Sequence, residues 1–374
     1  MPMNLSRRNV LKASGLAFGA SLISPRAILA DTPVHPVARD IPLIRLSLNE
    51  NPYGPSPRVA ESIQRELKRL DRYGDADAAS QLAEQIAAHE RVRVEEVVLG
   101  EILGLLGFYL ASEGGPGSEF LYSTPGYLAL IDAAARVGGI GVPVPLSAEY
   151  ENDLAALSEK INAKTRAIYL VNPHNPTGTV NEDSSFKRFL RESSQRTVTI
   201  VDEAYLEYTD DFEQRTAASL VRDGANVLVF RTFDKIFGLA GLPMGYVLAP
   251  RALADALRRQ GAGDAETLGR LNIAAARAAL SDTAQVDYTR ATIAHERTKW
   301  HSVLRDLNLQ HTNTYTNFIF FNAGQPQVKL ASTLRAQGID IGRSHPPYTN
   351  WARITIGLPD ENLRTQAALR QALR

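Results

Sequence analysis

The chain has 374 residues, of which 44% are hydrophobic and 22% are charged, so it is long enough for one large domain with a sizeable core and a smaller domain. Its 41 basic and 41 acidic side chains give a formal net charge of zero, so its overall charge does not favour binding to nucleic acid or to an anionic membrane, and we expect small-molecule partners. The absence of cysteine excludes disulfides, thiolate metal ligands and a cysteine nucleophile, and the scattered histidines predict no metal site.

Residues 1–30 have the pattern of an export signal. Ser6-Arg7-Arg8-Asn9-Val10-Leu11-Lys12 is followed by an uncharged run over residues 13–24, which is shorter than the roughly 20 apolar residues that span a bilayer. The segment resembles a twin-arginine signal, which implies that the twin-arginine export machinery carries the folded protein to a periplasmic or other extracytoplasmic location. Cleavage is expected after Ala30. Because Ile28 matches a small-residue cleavage box poorly, retention as an anchor stays open.

The rest of the chain alternates between strand and helix patterns. After a polar linker, we predict a strand over 43–48, a turn-rich arm, helices over 58–69, 79–91 and 184–193, and strands over 97–99, 120–122, 167–171, 198–201, 227–230 and 245–248. Long helices rich in Ala and Arg follow to residue 307, with strands over 317–321 and 353–356. The alternation predicts an α/β protein with a mainly parallel sheet covered on both faces. We expect residues 71–255 to form the large domain, 256–374 a small domain, and 31–70 the arm and part of the small domain.

Lys235 is the candidate nucleophile of the chain. It lies among Phe233, Ile236 and Phe237, shortly after the predicted strand 227–230. A lysine that forms an imine must lose its proton, and apolar neighbours that keep the amine out of bulk water favour this loss. Taken alone, Lys235 could be a surface lysine at the start of a helix, so the interpretation depends on the motifs that precede it.

Three candidate polar residues follow two of the predicted strands. Asn175 lies in the turn Asn-Pro-Thr-Gly after strand 167–171, and Asp202 comes directly after strand 198–201. Tyr205 follows three residues later and Lys235 another thirty. Either the turn or the aspartate could be a simple loop or helix cap when taken alone. Their combined spacing makes chance an unlikely explanation.

Together these residues resemble the fold-type I pyridoxal-phosphate aminotransferases of class I/II, and within them the histidinol-phosphate aminotransferase-like branch. The resemblance covers most of the chain after residue 30. It implies a seven-stranded type of sheet between helices, a homodimer, and pyridoxal 5'-phosphate held by Lys235 as a Schiff base. It also implies that Asp202 keeps the pyridine nitrogen protonated and that Asn175 and Tyr205 bind the phenolic oxygen. In the implied transamination an amino donor gives up its amino group while Lys235 acts as general base, and a keto-acid acceptor then takes the amino group.

The resemblance assigns further residues to the site. Tyr127 would stack on the pyridine ring, Tyr73 would reach the cofactor phosphate in the neighbouring subunit, and the arm that contains Tyr53 would close over substrate. Arg353, with Arg343 as a second contact, would bind the carboxylate or phosphate of the substrate, because a planar guanidinium forms two parallel hydrogen bonds with either anion. The tyrosines could instead be ordinary packing residues, and Arg353 could form a salt bridge at the rim.

The sequence departs from this family where the cofactor phosphate should bind. Pro243 and Asp234 replace an arginine and a serine, and the glycine-rich helix start is shortened to residues 99–103. Each lost charge-assisted hydrogen bond costs about 1.5–3 kcal/mol, so two losses would weaken cofactor binding by roughly a hundredfold. Thr232, together with Arg231 and Tyr73, could compensate in part.

Several alternatives stay open on the sequence alone. The same residues could support a racemase, a lyase or a decarboxylase, since these reactions differ in which bond lies perpendicular to the ring. The altered phosphate site could also belong to a degenerate, non-catalytic protein that uses the cleft for a ligand. If the chain is exported, histidinol phosphate is a poor candidate substrate, and an extracytoplasmic amino acid or a secreted amine fits better.

Overall fold

The computed structural model describes residues 43–373. The twin-arginine motif and the expected cleavage site after Ala30 lie outside this range, so both stay predictions. None of the helices formed by the described residues is long and apolar enough to cross a membrane.

A seven-stranded sheet forms the centre of the fold. Its strands, in chain order, are β2 (Val97–Leu99), β3 (Glu119–Thr124), β4 (Ile140–Pro145), β5 (Thr165–Val171), β6 (Val198–Asp202), β7 (Val227–Thr232) and β8 (Gly245–Leu248). They lie side by side in the order β2-β8-β7-β6-β5-β3-β4, and β8 is antiparallel to both of its neighbours whereas the remaining pairs are parallel. The structure therefore confirms the predicted α/β fold with a mainly parallel sheet.

The central strands are buried on both faces of the sheet. All six residues of β7 are buried, and along β5 the side chains alternate between two apolar clusters, with Ile168 and Leu170 in one and Ala167 and Tyr169 in the other. Continuous apolar runs of this kind are typical of parallel strands covered by helices on both sides. The edge strand β4 escaped the sequence analysis because it contains Pro143 and Pro145, and prolines occur in sheets mainly on edge strands.

Helices cover both faces of this sheet and extend beyond it. In chain order they are α1 (Pro57–Glu66), α2 (Ala76–Glu90), α3 (Leu103–Gly114), α4 (Ala129–Ala135), α5 (Leu154–Lys160), α6 (Asp183–Ser194), α7 (Phe212–Arg215), α8 (Ala218–Arg222), α9 (Arg251–Arg259), α10 (Arg270–Leu280), α11 (Thr283–Asp306), α12 (Gln327–Arg335) and α13 (Pro359–Ala372). The long helices predicted before residue 307 correspond to α9, α10 and α11. The helix predicted over 58–69 ends earlier, because its last turn is a 3₁₀ helix over Leu67–Arg69.

Two small sheets lie outside the large one. Strand β1 (Ile44–Leu46) pairs in parallel with β10 (Ile339–Ile341), and β9 (Phe318–Asn322) pairs antiparallel with β11 (Trp351–Thr355). The segment that begins at Ile44 is thus held by the C-terminal part of the chain, in the manner expected for an arm that contributes to the small domain. The domain boundaries at 70 and 255 stay predictions.

Candidate active site

A cavity of about 320 Å³ lies at the carboxyl ends of β5, β6 and β7. The parallel register places Val171 beside Asp202 and Asp202 beside Phe230, so the loops that leave these strands meet at one edge of the sheet. Eight of the ten residues assigned to the site from the sequence line this cavity: Tyr127, Asn175, Asp202, Tyr205, Thr232, Lys235, Arg343 and Arg353.

Asp202 is buried at the end of β6 and held by two hydrogen bonds. The Tyr169 hydroxyl donates to its Oδ2 at 2.8 Å, and the backbone N–H of Ala204 donates to Oδ1 at 3.1 Å. Burial raises the pKa of Asp202 to about 6, although both hydrogen bonds and the positive charge of Lys235 act in the opposite direction. At neutral pH Asp202 is therefore ionised and can accept a hydrogen bond from an N–H group in the cavity.

The Tyr205 hydroxyl is fixed by two amides. Asn49 Nδ2 donates to the hydroxyl oxygen at 3.0 Å, and Asn175 Nδ2 donates to it at 3.4 Å. The Thr355 hydroxyl donates to Asn49 Oδ1 at 3.2 Å, and Arg353 donates to Asn175 Oδ1 at 2.6 Å. Because guanidinium groups only donate, Asn175 must direct its oxygen to Arg353 and its NH₂ group to Tyr205.

Arg353 crosses from β11 into the cavity. Besides its bond to Asn175, its Nη2 donates to the backbone oxygen of Ser47 at 2.8 Å. The Nε atom is buried and has no hydrogen-bond partner among the described residues, although the side chain is only 8% exposed. Its guanidinium carbon lies 5.6 Å from the centre of the Phe318 ring. A buried N–H that lacks an acceptor is unfavourable, so an anion that reaches Nε would gain a pre-oriented donor.

Arg343 and His345 line the cavity beside Arg353. Burial, together with the charges of both arginines, lowers the pKa of His345 to about 3, so its ring is neutral at physiological pH. His345 Nε2 is buried without a hydrogen-bond partner among the described residues. This part of the cavity therefore combines two fixed positive charges with a neutral ring nitrogen that can bind a polar group.

Two carboxyl groups, those of Glu101 and Asp234, lie in the same part of the cavity as Lys235. Glu101 and Asp234 line it together with Lys235 and Thr232. Burial raises the pKa of Asp234, an effect opposed by Lys235 and by a hydrogen bond with Thr232. Glu101 is an exposed residue at the cavity wall, but partial desolvation of its carboxyl group raises its pKa to about 7, with a further contribution from the charge of Asp234.

Two residues assigned to the site from the sequence lie outside the cavity lining. Tyr53 packs edge-on against Tyr288 with ring centres 5.9 Å apart, and Tyr73 is 79% exposed. The expectation that Arg231 helps to hold the cofactor phosphate is wrong. Arg231 is 1% exposed and points away from the cavity, because three buried glutamates hold its guanidinium. The roles of the two tyrosines stay predictions: that of Tyr53 involves a closed arm, and that of Tyr73 involves a second subunit.

The sequence analysis assigned no role to four residues that the structure places at the site: Asn49, Glu101, Tyr169 and His345. Asn49 lies four residues before Tyr53 in the turn-rich arm, so the sequence indicates its position but not its contact with Tyr205. Tyr169 lies on β5 at the register position beside Ile200 and reaches Asp202 across the sheet. A buried tyrosine in an apolar strand gives no sequence signal of such a contact. Glu101 and His345 lie on connecting segments, which sequence periodicity does not place.

The cavity fits the ring of pyridoxal phosphate. The buried Asp202 carboxylate matches a pyridinium N–H, Lys235 offers an amine, and Tyr205 keeps its own hydroxyl hydrogen free to donate, because both amides donate to its oxygen. The half-exposed Tyr127 offers an aromatic face. Thr232 and the start of α3 could hold the phosphate.

Comparison with known proteins shows the same family over nearly the whole chain. The family model for aminotransferase class I and II matches residues 41–368. The chain is 33% identical to histidinol-phosphate aminotransferase 2 of Pseudomonas fluorescens over 95% of its own length and 96% of that protein. It is 32% identical to the aromatic amino acid aminotransferase of Thermobifida fusca over 85% of its own length and 87% of that protein.

The fold comparison agrees with the sequence comparison. The crystal structure of histidinol-phosphate aminotransferase from Sinorhizobium meliloti, solved in complex with pyridoxal-5'-phosphate, superposes with a TM-score of 0.81. It is 27% identical to this chain, with 89% of this chain and 92% of that chain covered.

Proposed function

This chain belongs to the aminotransferase class I and II family, and from that premise we propose that it removes the amino group of an α-amino acid whose carboxylate binds Arg353. The enzyme is a pyridoxal-phosphate-dependent transaminase, in agreement with the function expected from its sequence. The proposal concerns the amino donor and the roles of individual residues.

Bound pyridoxal phosphate supplies an electron sink and a carbonyl carbon that reacts with amines. Asp202 stays ionised at neutral pH and would hold the proton on the pyridine nitrogen. The Tyr205 hydroxyl, whose oxygen accepts from two amides, would donate to the phenolic oxygen. The Lys235 amine lines the same cavity, where it would hold the cofactor and, as a free amine, would serve as general base and acid.

The observation that carries the substrate proposal is the unpartnered Nε of Arg353. A carboxylate that accepts from Nε and one Nη group forms the paired arrangement that guanidinium groups favour. Because Arg353 is also bonded to Asn175, the anion of the substrate is placed at a fixed position relative to the phenolic-oxygen site. This fixed spacing suits an α-amino acid, whose amine and carboxylate share one carbon.

The relatives named above act on histidinol phosphate and on aromatic amino acids. Both kinds of substrate combine an amine with an anion, but the anion is a phosphate in one and a carboxylate in the other. We favour the carboxylate, because the predicted export signal would separate the enzyme from cytoplasmic histidinol phosphate.

Replacement of Arg353 tests the proposal. The purified holoenzyme is screened with free amino acids, and formation of the keto acid is measured with the wild type, R353K and R353A. For the best donor, kcat/KM should fall by about 100-fold in R353A, since hydrogen bonds to charged groups contribute about 1.5–3 kcal/mol each. In R353K the value of kcat/KM should fall less, because lysine keeps the positive charge but lacks the planar guanidinium that forms two parallel hydrogen bonds.

The matched amine without a carboxylate serves as the control substrate; it should lose much less activity than the amino acid in R353A, because the variant affects it only through the orientation of Asn175. Equal losses for amino acid and amine would contradict the assignment of Arg353 to the carboxylate. Histidinol phosphate and histidinol form a second pair. A selective loss for histidinol phosphate, with no reaction of any free amino acid, would assign the site to a phosphate.

We also propose that the enzyme is exported in its folded state. The proposal rests on Arg7 and Arg8 and on the uncharged run over residues 13–24. Cell fractionation of the wild type and of a double variant, R7K with R8K, tests it. The wild type should be recovered outside the cytoplasm and the variant inside; an equal distribution of both would overturn the proposal.

We further propose that two copies form the active enzyme and that Tyr73 of one copy completes the site of the other. The 79% exposure of Tyr73, outside its own cavity, supports this. The mass in solution should be that of a dimer. Mixing inactive K235A with a weakly active Y73F protein should restore activity, since one of the two sites in a mixed dimer carries both native residues. A monomeric active enzyme would contradict the proposal.

A further inference from the structure

Two carboxyl groups flank Thr232 at one end of the cavity. Glu101 precedes α3 and Asp234 follows β7. Glu101 Oε1 lies 3.3 Å from the position that a Cβ atom on Gly245 would occupy, and Gly245 is the register partner of Thr232. The backbone N–H of Asp234 donates to Thr232 Oγ1 at 3.1 Å. Both acids therefore line the same part of the cavity as the Thr232 hydroxyl group.

The order of the strands places the cofactor phosphate at this end. In pyridoxal phosphate the carbonyl carbon that reacts with lysine is attached to the ring position opposite the nitrogen, so Asp202 and Lys235 would fix the long axis of the ring. The phenolic oxygen and the phosphate lie on the two flanks of that axis. Asn175 follows β5 on one side of Asp202, whereas Thr232 and Glu101 follow β7 and β2 on the other side. With the phenolic oxygen at Asn175, the phosphate faces Thr232 and Glu101.

Some groups at this end of the cavity attract an anion and others repel it. Leu103 and Gly104, in the first turn of the 12-residue helix α3, line the cavity, and the N-cap Ile102 provides no side-chain acceptor for the first turn. The free N–H groups of this turn and the Thr232 hydroxyl favour a phosphate. Ionised Glu101 and Asp234 would repel it.

Protonation of one carboxyl group reduces this repulsion. Glu101 faces Asp234, Asp202 and Lys235; although the residue is exposed at the cavity wall, partial desolvation of its carboxyl group, together with the charges of the two acids, raises its pKa to about 7 against the effect of Lys235. For Asp234, both Lys235 and Thr232 stabilise the ionised form. A phosphate beside Glu101 would disfavour the Glu101 carboxylate further, because like charges raise the pKa of an acid.

We propose that Glu101 binds the cofactor phosphate as a neutral carboxylic acid. When the phosphate enters, one proton passes from solvent to the Glu101 carboxylate, and the resulting O–H donates to a phosphate oxygen. No covalent bond changes other than this O–H. An acid that would exclude the phosphate thereby becomes one of its hydrogen-bond donors, and phosphate recognition becomes dependent on pH. The inference rests on the cofactor binding stated under the proposed function.

Calorimetry with pyridoxamine phosphate and pyridoxamine tests the inference, because the two ligands differ only in the phosphate and neither forms a Schiff base. Apo enzyme is titrated at pH 8 in two buffers of different ionisation enthalpy, which gives the number of protons taken up. The wild type should take up about one proton more with pyridoxamine phosphate than with pyridoxamine. Above pH 7 its affinity for the phosphate ligand, relative to pyridoxamine, should fall about tenfold per pH unit.

Three variants identify the group that takes up the proton. E101Q, which keeps a donor without a charge, should abolish the extra uptake and bind pyridoxamine phosphate more tightly than the wild type at pH 8. E113Q, on the exposed surface of the same helix, should behave as the wild type. D234N should retain the uptake.

The possible results separate the inference from the proposed function. Retention of the extra uptake in E101Q, its loss in D234N instead, or no extra uptake in the wild type would overturn the role of Glu101 while cofactor binding stands. Failure of both ligands to bind the wild type would count against the cofactor site itself.

Discussion

Asn175 couples two functions through one side chain. Its Nδ2 donates to the Tyr205 hydroxyl at 3.4 Å, while its Oδ1 accepts from Arg353 Nη1 at 2.6 Å. The arginine proposed to hold the substrate anion thus also determines the orientation of the amide at the phenolic-oxygen site. A substrate that shifts Arg353 would change the hydrogen bonding of Tyr205, and the loss of Arg353 would leave Asn175 free to rotate.

Tyr169 should control the pH range over which Asp202 works. Its hydroxyl donates to Asp202 Oδ2 at 2.8 Å, and this bond lowers the pKa of Asp202, which burial raises to about 6. In Y169F the pKa of Asp202 should therefore rise. Because the ionised carboxylate holds the pyridine proton, activity is lost as pH falls through this pKa, and the acid limb of kcat/KM should move to higher pH in the variant.

Tyr208 provides a matched control for this measurement. It is buried, and its hydroxyl has no hydrogen-bond partner among the described residues. Y208F therefore also removes a buried hydroxyl, but without affecting Asp202, and its pH profile should match that of the wild type. Coincident acid limbs for Y169F and the wild type would contradict the assigned role of Tyr169.

At the scale of elements, a buried ionic cluster joins β7 to α2 and to the loop after β6. Arg231 Nη2 lies 2.9 Å from Glu203 Oε2, Nη1 lies 3.0 Å from Glu207 Oε1, and Nη2 lies 3.7 Å from Glu90 Oε2. Burial raises the pKa of Glu203 to about 7 and also raises that of Glu207. The cluster fixes Asp202 and Thr232 indirectly, since Glu203 follows Asp202 and Arg231 precedes Thr232.

Removal of Arg231 should destabilise the whole fold. Breaking a buried ion pair by removing one partner costs about 3–5 kcal/mol, because the charges that remain are uncompensated, so R231M should lower the free energy of unfolding by this amount. Urea denaturation measures the change. R91M, which breaks an exposed pair between Arg91 and Glu213, should cost less than about 1 kcal/mol. Equal losses in the two variants would show that the buried cluster adds no stability.

The sequence indicates those parts of the fold that local patterns specify. Apolar runs predict β5, β6 and β7, and the polar residues at their ends include Asp202 and Lys235, so the centre of the site is predictable. The contacts of Arg231 are not, because they depend on Glu90, which lies 141 residues earlier on a helix. The position of Glu101 is likewise set by the packing of Gly245 against β7 and not by any local pattern.

At the scale of the whole molecule, Asn49 closes the cavity from the N-terminal side. Its backbone N–H donates to Thr355 Oγ1 at 2.9 Å, and the side chain of Asn317 donates to its backbone oxygen at 3.0 Å. Its φ is 58°, in the left-handed region, where asparagine is tolerated better than most residues. The arm is thus tied to two strands of the C-terminal part of the chain.

Two substitutions of Asn49 should separate its backbone role from its side-chain role. N49A should be less stable than N49G by about 1 kcal/mol, because the left-handed conformation is unfavourable for alanine and not for glycine. Both variants lose the amide that donates to Tyr205, so both should bind pyridoxal phosphate more weakly than the wild type. Urea denaturation and the visible absorbance of the cofactor measure the two effects, and equal stability of the two variants would argue against backbone strain at this position.

The bond between Asn49 and Thr355 also has a consequence for biosynthesis. The two residues are 306 positions apart, and at about 5–20 residues per second the ribosome needs roughly 15–60 s to make the intervening chain. Throughout that interval Asn49 lacks its anchor on Thr355, although its partners Tyr205 and Asn317 are made earlier. A chain that stalls before Thr355 therefore lacks the hydroxyl group that anchors Asn49, and it cannot complete the cofactor cavity.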